Sequence, residues 1–317
     1  MQFGALLIDG FREALDRKIF WVLIGIAVVV AAAMFCVEFR SDQVIFLFGL
    51  HTTPNTNWDP ATETGRKGIV DIGVSVMDLI LGWVGTTLMV ITAAGAFPAM
   101  MEKGAIEVVL GKPIGRVRLF FYKYLASMTL VALVSVVFVG LTFVVMGVRW
   151  KVWMWPYLLS VPLSLLMFSY IYCVTVLVAV KTKSALASVL LSLVAWFVFW
   201  VFGYLGAQFS ANPSLERFEK WRGPIVAASW VPPKTLHVTY FAQRWCGGSK
   251  AEDVLKMVDM PEFKNADMGD AGNMVRDTLL VEAHLMRTDP VSSIASSLIF
   301  EAAVLLLAAW SFRRQDF

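Results

Sequence analysis

Six stretches of this chain run for about twenty residues or more with almost no charge: Ile19–Glu38, Val74–Ala99, Leu119–Val148, Pro156–Val180, Ala185–Gly206 and Val291–Phe312. That is the length at which an α-helix crosses a hydrocarbon core about 30 Å thick. A backbone in lipid has to satisfy its own hydrogen bonds, so such stretches fold as helices. With 58% hydrophobic and 16% charged residues, the chain is more apolar and less charged than a soluble domain, where about half and about a quarter are usual. The expected fold class is therefore all-α, a polytopic membrane protein of six transmembrane helices. Asp289 at an N-cap position and Pro290 at the first helical position punctuate the start of the last span.

The basic residues of the short connections orient the bundle. With the N-terminus inside, Arg12, Arg17, Lys18, Lys103, Lys112, Arg116, Arg118, Lys123, Lys181, Lys183, Arg313 and Arg314 lie in the cytoplasm. Arg40, Arg66, Lys67, Arg149 and Lys151 then lie outside, 12 against 5. Both termini and the connection between spans two and three are thus expected to be cytoplasmic, in the cell inner (plasma) membrane. Trp150, Trp153 and Trp155 crowd the outer turn between spans three and four, as an interfacial aromatic belt would. Arg40–Lys67 reads as an outer loop rich in Thr, Asn and Pro.

Three units result. Residues 1–206 hold an N-terminal helix and spans one to five; 207–289 form an extracytoplasmic helical insertion; 290–317 form span six and its tail. The insertion carries 10 basic and 11 acidic residues, and long segments say little about orientation. Ser249 and Glu252 match a capping box there, and Val275, Leu279 and Met286 fit an amphipathic helix. The insertion gates the outer exit, recruits an extracytoplasmic partner or caps the bundle, with Trp221, Trp230, Phe241 and Trp245 packing its own core or resting on the membrane.

The inner connection 101–118 is the main polar interruption of the apolar half. Ile106, Val109 and Leu110 share one face of a short helix stopped by Gly111 and Pro113, while Glu102, Lys103 and Glu107 lie off that stripe. A helix this short buries no apolar face alone, so it asks for a partner surface. At the N-terminus, Phe3, Leu7, Phe11 and Ala14 recur at helical spacing opposite Asp9, Arg12, Glu13, Asp16 and Arg17, with Lys18 at the membrane edge. That pattern suits a helix lying on membrane lipid and differs from a cleaved basic leader.

Asp78 and Glu301 are the clearest carboxylates inside apolar runs, with Asp71 two turns before Asp78. Ionisable groups at membrane depth are costly and face a bundle interior or a water path, so these two are candidates for a translocation path, against a purely structural polar contact. Cys36, Cys173 and Cys246 form no disulfide or metal spacing. The three histidines, His51, His237 and His284, make no zinc motif, Glu282 and His284 being wrongly spaced, and no nucleophile elbow is present. Gly104 and Gly111-Lys112 miss the phosphate-loop spacing, and Pro113 stands where Ser or Thr is needed. No catalytic residue, metal site or cofactor is therefore expected on this chain, and the net charge of +3 gives no reason to invoke nucleic acid.

Three segments together resemble a known family: Phe11-Arg12-Glu13-Ala14-Leu15 with Arg17-Lys18; Glu102-Lys103-Gly104-Ala105-Ile106-Glu107 with Gly111-Lys112-Pro113-Ile114-Gly115-Arg116; and the terminal Phe312-Arg313-Arg314-Gln315-Asp316-Phe317. They look like an ABC exporter permease of the second type, across the whole chain in topology and about forty residues in motif. The resemblance implies a cytoplasmic elbow helix, a second permease subunit as homo- or heterodimer partner, and separate ABC ATPase subunits that hold ATP and magnesium. It places Glu102, Glu107, Lys112, Pro113 and Arg116 in the region that couples to the ATPase. The 207–289 insertion is longer than the external hairpin of many relatives. The expected function is the permease subunit of an ATP-driven exporter. The alternatives are a non-transporting anchor that passes ATPase motion to extracytoplasmic proteins and, further off, an intramembrane enzyme.

Overall fold

The computed structural model describes residues 18–55, 58–102, 115–212, 218–246, 250–260, 263 and 269–315. The expectations at Arg12, Glu13 and Arg17, and at Ile106, Glu107, Val109, Leu110, Lys112 and Pro113, lie outside the described residues. Six helices are long and apolar enough to cross a membrane. The first is α1 (Lys18–Phe35). The second runs from Glu63 to Met100 as α2 (Glu63–Met77), a π-helical segment (Asp78–Val84), α3 (Gly85–Ala94) and α4 (Ala96–Met100). The others are α5 (Arg116–Arg149), a 3-10 turn (Trp155–Leu159) leading into α6 (Ser160–Thr182), α7 (Ala185–Ala211) and, last, α12 (Pro290–Arg313). Between α7 and α12 come α8 (Glu219–Ser229), α9 (Thr235–Trp245), α10 (Lys250–Asp259) and α11 (Gly269–Arg287).

The all-α expectation is corrected in one place. Three short strands, β1 (Val37–Phe39), β2 (Gln43–Phe46) and β3 (His51–Pro54), form an antiparallel sheet where a loop was expected. Val37 faces Phe46 and Val44 faces Thr53 across its two ladders. The β-branched and aromatic residues at these positions suit a pleated, half-buried surface. Arg66 and Lys67 also leave the expected loop, because the second helix begins at Glu63, eleven residues before Val74. Thr62 caps it by accepting from the Gly65 N–H at 3.1 Å, and Glu63 pairs with Lys67 one turn on, at 3.0 Å.

The bundle is built round α6. In its most apolar stretch 72% of the residues are buried, against 17% for α7, which matches a sequence that is hydrophobic on every side. Tyr170, Ile171, Tyr172 and Cys173, four successive residues covering a whole turn, are all at 0% exposure. The outer face of α7 shows Leu186, Leu190, Val194 and Phe197.

At one end of the bundle, Arg149 Nη1 meets Glu38 Oε2 at 2.8 Å and its Nε donates to the Phe35 carbonyl. Trp150, which the belt reading put at the interface, is buried and donates from Nε1 to the carbonyls of Met34 and Val37. Trp153 and Trp155 remain exposed. The indole thus fastens the exit of α5 to the exit of α1.

Helices α8 to α11 follow α7, and α9 enters the main core through Val238, Ala242 and, just past its end, Cys246. A Cβ on Gly206 would collide with the Ser229 side chain, so this glycine lets α8 close onto the end of α7. The expected amphipathic helix is present as α11. Met286 is 1% exposed and Leu279 packs on Val254 and Val258 of α10, while Val275 points outward. Helix α10 begins directly after Ser249, the residue proposed to cap it, which lies outside the described residues. Asp289 caps α12 by accepting from Val291 and Ser292.

Candidate functional site

The second span changes from α to π geometry at Asp78. One added residue in a turn rotates the rest of the helix about its axis and re-aims its side chains, which is why such segments gather at functional sites. Asp78 Oδ2 accepts from Gln243 Nε2 of α9 at 3.4 Å. Gly82, one turn on, leaves the carboxylate room: a Cβ there would sit 3.4 Å from Asp78 Oδ1.

Asp78 lines two adjoining cavities. One lies between α6 and α9, bounded by Met77, Ser160, Leu163, Ser164, Val238 and Ala242. The other, of about 140 Å³, extends toward α7 and is bounded by Trp83, Trp196, Trp200, Thr235, Tyr240 and Gln243. Gly82, Met167 and Thr239 belong to the second cavity, and Gly82, Met167 and Thr239 also border the first. Among the described residues lining them, Asp78 is the one formally charged side chain.

The walls of the second cavity are aromatic and ordered. Trp83 and Trp196 stack with ring centroids 4.7 Å apart at 16°, Trp200 meets Trp83 edge-on at 6.4 Å, and Tyr204 stacks on Trp200 at 5.5 Å. Trp196 is 2% exposed while Trp83 is 47% exposed, so this wall leads from the cavity to the outer surface of the bundle. Trp196 Nε1 and Thr235 Oγ1 are buried and make no hydrogen bond to any described residue.

Glu301 is 8% exposed and sits elsewhere in the polar interior. Its Oε1 accepts from the Tyr124 hydroxyl at 2.8 Å and its Oε2 from Ser169 Oγ at 2.9 Å. Beside it, Tyr172 stacks on Tyr124 and donates to Ser127 Oγ at 2.8 Å. Further pairs join Ser164 to Ser135 and Thr142 to Tyr157. Toward the start of α12, His237 Nδ1 pairs with Ser293 Oγ at 3.0 Å, and the Lys234 backbone N–H donates to Ser297 Oγ at 2.9 Å.

Lys234 is folded inward over the Trp230 ring, with its ammonium bonded to the Ser229 carbonyl. Burial pulls its pKa down to about 8. His237 is pushed down to about 3, first by burial and then by the charges of Lys234 and His284. Gln243, His237, Trp196 and Thr235 carry no signal in the sequence that would join α9 to the second span. Asp78, as a carboxylate in an apolar run, was the one legible part.

At the opposite end of α12, Arg116 Nη1 donates to the carbonyls of Arg313, at 3.3 Å, and Gln315, at 3.0 Å. Gln315 Nε2 donates in turn to the Val180 carbonyl at 2.6 Å. Glu102 is exposed where the second span ends, and Lys18 is exposed at the start of α1. Among the described residues, no three His, Cys, Asp or Glu side chains form a group able to hold a metal. No protein-family model matches the chain, and no curated protein matches it in sequence.

Proposed function

We propose that this chain is the membrane-spanning permease subunit of an ATP-driven exporter, worked by separate ATPase subunits through the connection between spans two and three. The observation that carries the proposal is the tie from Arg116 to Gln315 to Val180. Arg116 lies within the proposed coupling segment and is the first residue of α5. Its guanidinium caps the end of α12, where orphan carbonyls and the negative end of the helix dipole favour a cation. Gln315 passes the link to the end of α6, the helix at the centre of the bundle. A push on the 101–118 connection is thereby delivered to three spans together. Displacement of packed helices as rigid elements is how a membrane bundle turns such a push into alternating access.

In this reading the N-terminal elbow helix, Glu102 to Arg116 and both termini face the cytoplasm at the plasma membrane. Residues 207–289 cap the extracytoplasmic end, and a second permease subunit completes the complex. ATP and magnesium belong to the ATPase partner. Asp78 and its cavities are the substrate path. Glu301, with each oxygen engaged by a hydroxyl, holds spans three, four and six together.

The test is purification of the tagged chain from its native cell in a mild detergent, with identification of co-purifying proteins and an ATPase assay. A nucleotide-binding subunit that stays bound, and that Glu102→Lys or Glu107→Lys releases while the chain still inserts, is the expected result. A chain that emerges alone and stable, with no ATPase activity, would overturn the proposal. Transport of a defined solute separates an exporter from an anchor that only passes motion to extracytoplasmic proteins.

A further inference from the structure

We infer that the turn between β2 and β3, Leu47 to Leu50, is a lipid contact: its apolar side chains enter the membrane surface beside the end of α1 and hold the three-stranded sheet to the bilayer. This contact depends neither on the exporter reading nor on which side of the membrane the sheet occupies.

The path of the chain orients the sheet. β1 leads away from the end of α1, and β2 returns until Phe46 faces Val37. The Leu47 N–H then donates to the Cys36 carbonyl at 2.8 Å, which pins this turn against the end of the membrane-crossing helix. The other turn, Arg40, Ser41 and Asp42, lies at the opposite end of the strands, and all three of its residues are exposed. One end of the sheet is therefore polar, while the other carries Leu47, Phe48 and Leu50 at 55%, 65% and 84% exposure. The apolar end is the one next to α1.

The turn is built from residues that do not suit a turn in water. Leu47 and Phe48 take left-handed backbone, at φ 49° and 59°, before Gly49 at 108°. Turns in water fill such positions with Gly, Asn or Asp, because a Cβ is crowded there. Bulky side chains in strained backbone persist where their surroundings stabilise the placement. The described chain leaves these side chains exposed, so the stabilising surroundings lie outside it.

Two contacts identify those surroundings as lipid. Phe48 packs on Phe35 with ring centroids 6.0 Å apart, and Phe35 is itself exposed on the last turn of a span. One continuous apolar surface thus runs from the span to the turn. The Arg149 guanidinium lies 5.4 Å from the centre of the Phe35 ring and 5.3 Å from that of Phe48 while it bonds Glu38. Together with the exposed Trp153 and Trp155, this ion pair marks the headgroup level, where apolar rings sit toward the hydrocarbon and charges toward water. A protein partner would need a broader face, since a stable interface buries about 1,200 Å² or more, beyond what one four-residue turn supplies.

The experiment uses the full chain carrying Cys36→Ser, whose other two thiols are buried, with Phe48→Cys, Leu50→Cys or Ser41→Cys added singly. Each variant is labelled with a maleimide fluorophore, placed in phosphatidylcholine nanodiscs, and quenched in turn by iodide in the water and by a lipid bearing a nitroxide high on its acyl chain. Lipid quenching about threefold stronger at Phe48→Cys and Leu50→Cys than at Ser41→Cys, with iodide quenching weaker by a similar factor, is expected of residues seated in the membrane interface. Phe48→Asp, added to the Leu50→Cys chain, should bring lipid quenching there down to the level at Ser41→Cys, because a carboxylate resists burial in lipid.

Equal quenching at all three positions would overturn the inference. So would shielding of the turn from both quenchers, which would mean that a second copy of the chain covers it. Strong lipid quenching that Phe48→Asp leaves unchanged would overturn it too, because the dye would then be entering the membrane by itself.

Discussion

The Tyr124 hydroxyl donates to Glu301 Oε1 at 2.8 Å, which joins the third span to the sixth across 177 residues of sequence. Ser169, on the fourth span, holds the other oxygen at 2.9 Å. A carboxylate at membrane depth is tolerable only with such partners, and here the partners come from within one chain. Glu301 is therefore a structural tie, whereas Asp78, which Gln243 contacts, also lines a cavity.

The consequence is measurable as stability. Tyr124→Phe should lower thermal stability in detergent, at a cost of about 1 kcal/mol for one interhelical hydrogen bond in a bundle. Glu301→Ala should cost more, about 2–4 kcal/mol, because it also opens a cavity and strands Ser169 and Tyr124. Glu301→Gln keeps the volume and should be milder. A double-mutant cycle between Tyr124→Phe and Glu301→Gln is the decisive reading: strictly additive melting shifts would mean that the two groups do not act together.

A second expectation concerns the end of the bundle where Arg116 meets α12. Arg116→Ala removes the bridge from α5 to the end of α12. Because the contacts lie near the surface, the change in global stability should stay within about 1 kcal/mol. Backbone amides from Phe312 to Gln315 should nonetheless exchange with deuterium faster, and partner-driven ATP hydrolysis should lose its dependence on substrate. Unchanged exchange in that segment would show that the guanidinium does not hold it.

The six spans were legible because length and apolarity alone decide them, and the observed bounds fall within a few residues for five of the six. The second span was misjudged at its start. Arg66 and Lys67 read as loop charges, whereas Thr62 caps a helix that carries them on its first turns. The sheet at Val37–Pro54 escaped because strands of three or four residues leave no period to count, and Pro54 and Asn55 suggest turns. Asp78 was visible as a carboxylate in an apolar run, but its π geometry depends on a one-residue offset that no composition encodes. Its contact with Gln243 spans 165 residues, and such a pairing follows only from the way α9 enters the core.

Acid should weaken the fold through His237. Its pKa falls from an ordinary value near 6.5 to about 3 in the folded chain, by burial first and then by Lys234 and His284. The unfolded chain binds this proton more readily, so stability is fully present above about pH 6.5 and declines as pH falls toward 3. The slope contributed by one such group is at most about 1.4 kcal/mol per pH unit. Lys234, lowered to about 8, acts with the same sign in its own window: stability should rise from about pH 8 toward pH 10.5. Melting temperatures of the chain and of His237→Gln, taken from pH 7.5 to pH 4.5, check the first window. The variant should start lower at pH 7.5, through loss of the contact with Ser293, and then decline less steeply. Parallel curves would remove His237 as the titrating group.

The thiols offer the sharpest check on how α9 is seated. Cys246, in a polar part of the sequence, reads there as an inert residue, with a free thiol or an intermolecular bridge as the alternatives. In the structure it is buried in the main core beneath α9, and burial raises its pKa to about 12. The thiolate is the nucleophile, so a buried thiol with so high a pKa should react negligibly at neutral pH. Cys173 is also buried, and Cys36 is half-exposed just after α1. Maleimide labelling of the native chain in detergent should therefore stop at one equivalent, lost in Cys36→Ser, and rise to three on denaturation. Rapid labelling of Cys246 in the native chain would mean that α9 leaves the bundle readily. Gln243 would then leave Asp78 with it, and the cavity beside Asp78 would open on the timescale of the reaction.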